Sequence, residues 1–189
     1  MTGREAPIIS SSGNSIIKRA RSLLRRKGRY EERAFLVEGP RAVFDALAAG
    51  FPVEIVLLRT DAATSDNRGR IPALVPVRII EAGVFNAITD VTHSQGIMAI
   101  VSMDSLPHVR QETSPTARFI MIVDGVRDPG NLGTLIRSAA AGGVSEFVLT
   151  PQTVDPFNPK TVRAAMGAHF RIPIVTCHGD QLVHELRSI

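Results

Sequence analysis

The sequence predicts an α/β protein of two domains, and three observations carry that expectation. Short apolar runs alternate with helical patterns from Phe35 to Val101. The segment 104–117, with Pro107 and Pro115, has no apolar period, and the alternation resumes at Phe119. We read residues 1–103 as one domain, 104–117 as a linker and 118–189 as a second domain. With 189 residues, 44% of them hydrophobic, the chain can bury one good core or two small ones.

In the first domain Ile16, Ile17, Ala20, Leu23 and Leu24 recur at helical spacing, with Ser12 or Asn14 placed to cap the start. Lys18, Arg19, Arg21, Arg25, Arg26 and Lys27 cover most of the remaining surface of this helix. A strand is expected over 35–38. Gly39-Pro40 then opens a helix that ends at Gly50. Strands follow over 53–58, 75–80 and 96–101, with a polar loop over 61–70 and a helix over 81–88.

In the second domain the run 119–123 is apolar enough for a strand buried on both faces. A helix over 131–141 closes at Gly142-Gly143. Strands over 144–149 and 172–176 flank a helix that starts at Asn158-Pro159, and a last helix spans 181–187. Strict alternation implies a parallel sheet.

Charge is distributed unevenly. Residues 1–41 hold ten Lys or Arg against four Glu, whereas the other residues hold 12 basic and 14 acidic groups. A positive excess confined to the N-terminal fifth is the footprint of a polyanion binder, and equally of a solvated helix face. One cysteine, Cys177, excludes an intramolecular disulfide framework. No CxxC pair and no histidine spacing suggest a metal site. Cys177 and His169 are expected to pack rather than react. No apolar run reaches membrane-spanning length and no signal core follows Met1, so we expect no membrane association and a cytoplasmic protein.

The densest stretch runs from Asp124 to Ala139: DGVRDPGNLGTLIRSA. It follows a strand and ends in a helix, the position where open α/β sheets bind ligands. Gly125 and Gly130 permit turns. Gly133 lies one turn before Arg137, so a ligand is expected to approach the backbone there while the guanidinium and the helix N-terminus meet a phosphate. Neither GxGxxG nor GxxxxGK[ST] is present. Taken alone, the stretch is equally a Gly/Pro turn before a helix with a solvated Arg.

NLGTLIRSA resembles the first signature of the SpoU (TrmH-like) RNA ribose methyltransferases, NxGxxxRxA, with Asn131, Gly133, Arg137 and Ala139 in place. Asp124-Gly125 and Asp128-Pro129-Gly130 match the residues that usually precede it. The segment from Asn158 to Phe170 is similar to the family's NPKxxRASMGAxF, with Ala165 where the family has Ser. Asn14 with Lys18, the FLVEGPR stretch from Phe35 to Arg41, and His93-Ser94-Gln95-Gly96 resemble its N-terminal substrate-binding domain.

This resemblance implies transfer of a methyl group from S-adenosylmethionine to a ribose 2′-hydroxyl of ribosomal or transfer RNA. It implies a ribosomal-protein-like α/β substrate-binding domain followed by a SPOUT parallel-sheet domain, knotted and homodimeric in complete members. Arg137 and Asn131 are the expected catalytic residues: Arg137 as phosphate anchor and alkoxide stabiliser, since guanidinium stays protonated and is a poor base, and Asn131 orienting Arg137 or the ribose. The expected RNA contacts are Lys18, Arg21, Arg25, Arg26, Arg41 and Arg137. Lys160 and Arg163 are open to RNA or to a partner subunit. Two further family signatures, which build most of the cofactor pocket, do not follow Phe170. The cofactor residues are therefore expected beyond Ile189, and the 189-residue chain is expected to bind the cofactor poorly. An inactive RNA-binding protein is the alternative.

Overall fold

The computed structural model describes residues 7–104 and 119–177. The chain divides into two compact units, Met1–Asp104 and Ser105–Ile189. The expected linker and the helix over 181–187 lie outside the described residues.

The first unit opens with helix α1, Ser15–Leu23, capped by Asn14, whose side-chain oxygen accepts from the Ile16 N–H at 2.9 Å. The helix expected to run on through Lys27 instead breaks at Arg25, which is extended, and α2 covers Arg26–Glu32. Two residues explain the break. A side chain at Gly28 would run into the Ser22 carbonyl, so only glycine lets the helices cross this closely. Arg29, 2% exposed, donates from Nη1 to the Leu23 carbonyl at 2.8 Å, satisfying an acceptor that the end of α1 leaves open.

Strand β1 (Ala34–Glu38), helix α3 (Pro40–Ala48) and strand β2 (Val53–Arg59) follow as expected. The stretch read as a polar loop contains a 3-10 turn, Thr60–Ala62, and helix α4, Ser65–Gly69. The Thr64 hydroxyl caps α4 by accepting from the Asn67 N–H, a polar signal that reads as loop by composition. Strand β3 (Val77–Ile80), helix α5 (Ala82–Asn86) and strand β4 (Ile97–Ser102) complete the unit.

The sheet order is β1-β4-β2-β3, with β4 antiparallel to both neighbours and β2 parallel to β3. Alternation along the strands sends Leu36, Ile55, Leu57, Met98 and Ile100 into one core with Ile17, Ala20 and Leu23 of α1 and Phe85 of α5. Phe35 and Val37 face the other side, where α3 packs on β1 and β4. This sheet is therefore covered on both faces.

The second unit contains β5 (Ile120–Val123), α6 (Pro129–Ala141), β6 (Glu146–Leu149), α7 (Pro159–Ala165) and β7 (Ile174–Thr176). Its three described strands are parallel in the order β5-β6-β7. Strand β6 is buried at all four residues. Strand β5 corrects the expectation of burial on both faces: it lies at an edge of the described sheet, and only Val123 is buried while Ile122 is 41% exposed. Its apolar composition does not reveal this position.

Candidate functional site

Of the sequence-predicted site residues of the second unit, Asn131 lies in the first turn of α6 at the carboxyl end of β5, where a parallel sheet presents its loops, and Arg137 lies further along the helix. The loop after β5 is bound tightly to the loop after β6. The Thr150 hydroxyl donates to Asp124 at 2.6 Å, the Thr153 hydroxyl to the Val123 carbonyl at 3.2 Å, and the Val154 N–H to the Val126 carbonyl at 2.8 Å. Asp128 then caps α6 by accepting from the Asn131 N–H at 2.8 Å, and lies 3.6 Å from Lys160. These donors, the Asn131 N–H first and the Lys160 ammonium behind it, hold the Asp128 carboxyl below its usual range. It is an orienting anion and a weak base.

Helices α6 and α7 pack side by side. A side chain at Gly133 would sit 2.5 Å from both the Thr161 carbonyl oxygen and the Ala164 Cβ. This corrects the expectation that Gly133 admits a ligand: the space is filled by α7, and the glycine serves close helix packing. One turn later Arg137 is exposed and donates from Nη1 to the Met166 sulfur at 3.0 Å. Met166 ends α7 in the left-handed conformation (φ 49°), followed by Gly167 at φ 82°. That sharp exit from α7 brings the thioether to the guanidinium.

Asn131 is exposed in the first turn of α6, whereas Arg137 lies six residues on, about 9 Å along the axis. The group that the structure sets against Arg137 is Met166, a contact no sequence spacing signals.

His169 packs, as expected. It is 2% exposed and its Nε2 donates to the Pro156 carbonyl at 2.7 Å, pinning the turn before α7. Burial lowers its pKa to about 4, against the opposing pull of that carbonyl and of Asp155, so the ring is neutral at pH 7. Cys177 is buried, its N–H bonded to the Leu149 carbonyl.

In the first unit Lys18, Arg21, Arg25 and Arg26 are all exposed on the α1–α2 corner. Arg19, counted on the same cationic face by sequence, is tied to Glu54 at 2.5 Å and Glu32 at 3.1 Å. Arg41 does not join the corner. It stands on α3, across the sheet, 4.0 Å from Asp45. Among the described residues no group of three or more metal-ligating side chains occurs, and no helix is long and apolar enough to cross a membrane.

Each unit presents exposed cations, Arg137 on α6 of the second and Lys18, Arg21, Arg25 and Arg26 on the α1–α2 corner of the first. Residues 14–99 match the MRM3-like substrate binding domain, and residues 118–188 match the SpoU rRNA Methylase family. The 23S rRNA (guanosine(2553)-2′-O)-methyltransferase RlmP of Bacillus subtilis is 35% identical over 184 residues, covering 95% of this chain and 69% of that protein. Human mitochondrial rRNA methyltransferase 3 is 33% identical over 78% of this chain, which spans 36% of that protein. The structure of an AdoMet-bound rRNA methyltransferase from Sinorhizobium meliloti superposes with a TM-score of 0.81 at 32% identity, over 96% of this chain and 69% of that one. The chain belongs to the SpoU rRNA methylase family.

S-adenosylmethionine needs a concave site with free polar groups for its amino-acid end. At the strand ends Asp124 and Thr150 are bonded to each other, and Asp128 is taken by Asn131 and Lys160.

Proposed function

We propose that this protein methylates a ribose 2′-hydroxyl of ribosomal RNA, with S-adenosylmethionine as methyl donor. The observation that carries this reading is Arg137, exposed on α6 against Met166, in a chain that matches the substrate-binding and methylase models in order. RlmP acts on 23S rRNA, and the S. meliloti relative is AdoMet-bound.

The ribose hydroxyl becomes a better nucleophile as its proton leaves. A fixed cation next to it stabilises the charge that develops on oxygen. Arg137 supplies that cation or anchors the adjacent phosphate, and its guanidinium stays protonated throughout. The Met166 sulfur restricts the guanidinium without neutralising it, as a carboxylate partner would. Asn131, exposed at the start of α6, faces the ribose or its phosphate. Lys18, Arg21, Arg25 and Arg26 draw the RNA backbone, and Arg41 contributes from a separate surface. We further propose a homodimer acting in the cytoplasm, in line with the family resemblance and the Bacillus relative.

The test is transfer of labelled methyl from S-adenosylmethionine to unmodified rRNA by the protein at the length of its relatives. The modified position is mapped by its resistance to alkaline hydrolysis. Label that enters a base instead of a ribose would reject the assignment.

A further inference from the structure

The α1–α2 corner carries the only tyrosine of the chain, which has no tryptophan. Tyr30 is 45% exposed, four residues after Arg26 on the same face of α2, and the Arg26 guanidinium carbon lies over its ring, 5.4 Å from the centroid. Exposing an aromatic ring forgoes the burial that usually holds such residues in a core. The frame beneath it is firm. The buried Arg29 ties α2 to the Leu23 carbonyl, Gly28 lets the helices meet closely, and the Arg25 N–H donates to the Ser22 carbonyl at 3.0 Å. The ring is thus held in place at the surface.

The same two helices and the turn between them carry further cations. Lys18, Arg21, Arg25 and Arg26 are exposed, and among the described residues none of them pairs with a carboxylate. Lys27, by contrast, lies 3.6 Å from Glu31. A ring with a guanidinium on its face, among free cations, combines the two features that single-stranded nucleic acid requires: a π-surface for a base and charge for its phosphates.

We propose that Tyr30 and Arg26 form a stacking site for an unpaired RNA base, with the flanking phosphates held by Lys18, Arg21 and Arg25. The site rests on the RNA-directed reading above and adds to it that the substrate presents an unstacked nucleotide to the first unit. Stacking is tolerant of base identity, because every base has a π-face, but it rejects bases locked in a duplex. The corner therefore selects RNA by its loops or bulges.

Because Tyr30 is the only tyrosine, 3-fluorotyrosine places a single fluorine label in the chain. Its resonance is expected to shift on titration with a stem-loop RNA and to stay in place with a blunt duplex of the same stem. In filter binding, Tyr30→Leu keeps apolar bulk without an aromatic face and is expected to weaken stem-loop binding roughly 5- to 100-fold. Tyr30→Phe is expected to bind like the wild type, and duplex binding is the same for all three proteins. Normal stem-loop affinity of Tyr30→Leu, or an unmoved resonance at saturation, overturns the stacking site and leaves the methyltransferase reading intact. Failure of the wild type to bind any RNA overturns both. A polyglutamate peptide that shifts the resonance as the stem-loop does overturns the assignment to a base and makes the corner a general acceptor of acidic chains.

Discussion

The cations of the two units are arranged in contrasting ways. On the α1–α2 corner Lys18, Arg21, Arg25 and Arg26 are exposed and, among the described residues, free of carboxylates. In the second unit Asp124 is bonded to Thr150 and Asp128 to the Asn131 N–H, and Arg137 meets a thioether. Several free cations form a field that tolerates the loss of any one member. A guanidinium set at a helix-helix seam is a placed group, and its replacement removes the function it serves. The first arrangement suits capture of a polyanion, the second a chemical step.

The largest effect expected from breaking this contrast is in the packing that supports the second arrangement. The His169 pKa, lowered by burial to about 4, is below the ordinary 6.5, so between these pH values the unfolded chain takes up a proton that the folded chain refuses. Stability of the second unit is full above about pH 6.5 and falls by about 3 kcal/mol as pH drops toward 4. Urea titrations across that range measure the loss. His169→Gln keeps an N–H donor for the Pro156 carbonyl without titrating and should flatten the pH dependence. A wild-type midpoint that ignores pH in this window would contradict the burial.

Next in size is Gly133→Ala. The added Cβ meets the Thr161 carbonyl and Ala164 at 2.5 Å, and prising α6 from α7 should cost about 1–3 kcal/mol in denaturation. Ser138→Ala, exposed on the same helix, should cost little. Equal stability of the two variants would show that the helices do not depend on the glycine.

Much of this architecture is legible in the sequence. Apolar periodicity and Gly/Pro punctuation locate the seven strands of the described residues, because burial on a sheet leaves its pattern in the residues. The placement of Asn131 in the first turn of α6, after β5, follows from the strand-loop-helix reading of residues 119–141. The break between α1 and α2 is not legible, because it depends on a glycine meeting a carbonyl six residues back and on a buried arginine. Composition alone reads both as part of one basic helix. The exposure of β5 and the contact between Arg137 and Met166 depend on neighbours distant in sequence, to which periodicity is blind. Arg19 and Arg41 show the same limit for charge. Composition places both among the N-terminal cations, whereas the fold ties Arg19 to Glu54 and Glu32 and carries Arg41 to the far side of the sheet.

The smallest effects belong to the field of cations. Replacing Arg21, Arg25 and Arg26 together with Ala should lower RNA affinity and reduce the log–log salt slope by about 0.7–0.9 for each phosphate left unneutralised. Arg41→Ala, on its separate surface, should change the slope by no more than the share of about one phosphate. An unchanged slope in the triple variant would remove the corner from the RNA interface.

The division of labour between the units is tested most directly by one paired measurement on Arg137→Ala in the protein at the length of its relatives: methyl transfer to rRNA, and RNA affinity, on the same preparation. The account predicts that turnover falls more than about tenfold, a loss above roughly 1.4 kcal/mol in the transition state, while RNA affinity and the circular dichroism spectrum stay close to wild type. Retention of more than about a tenth of the turnover, or a fall in RNA affinity as large as the fall in turnover, would contradict it.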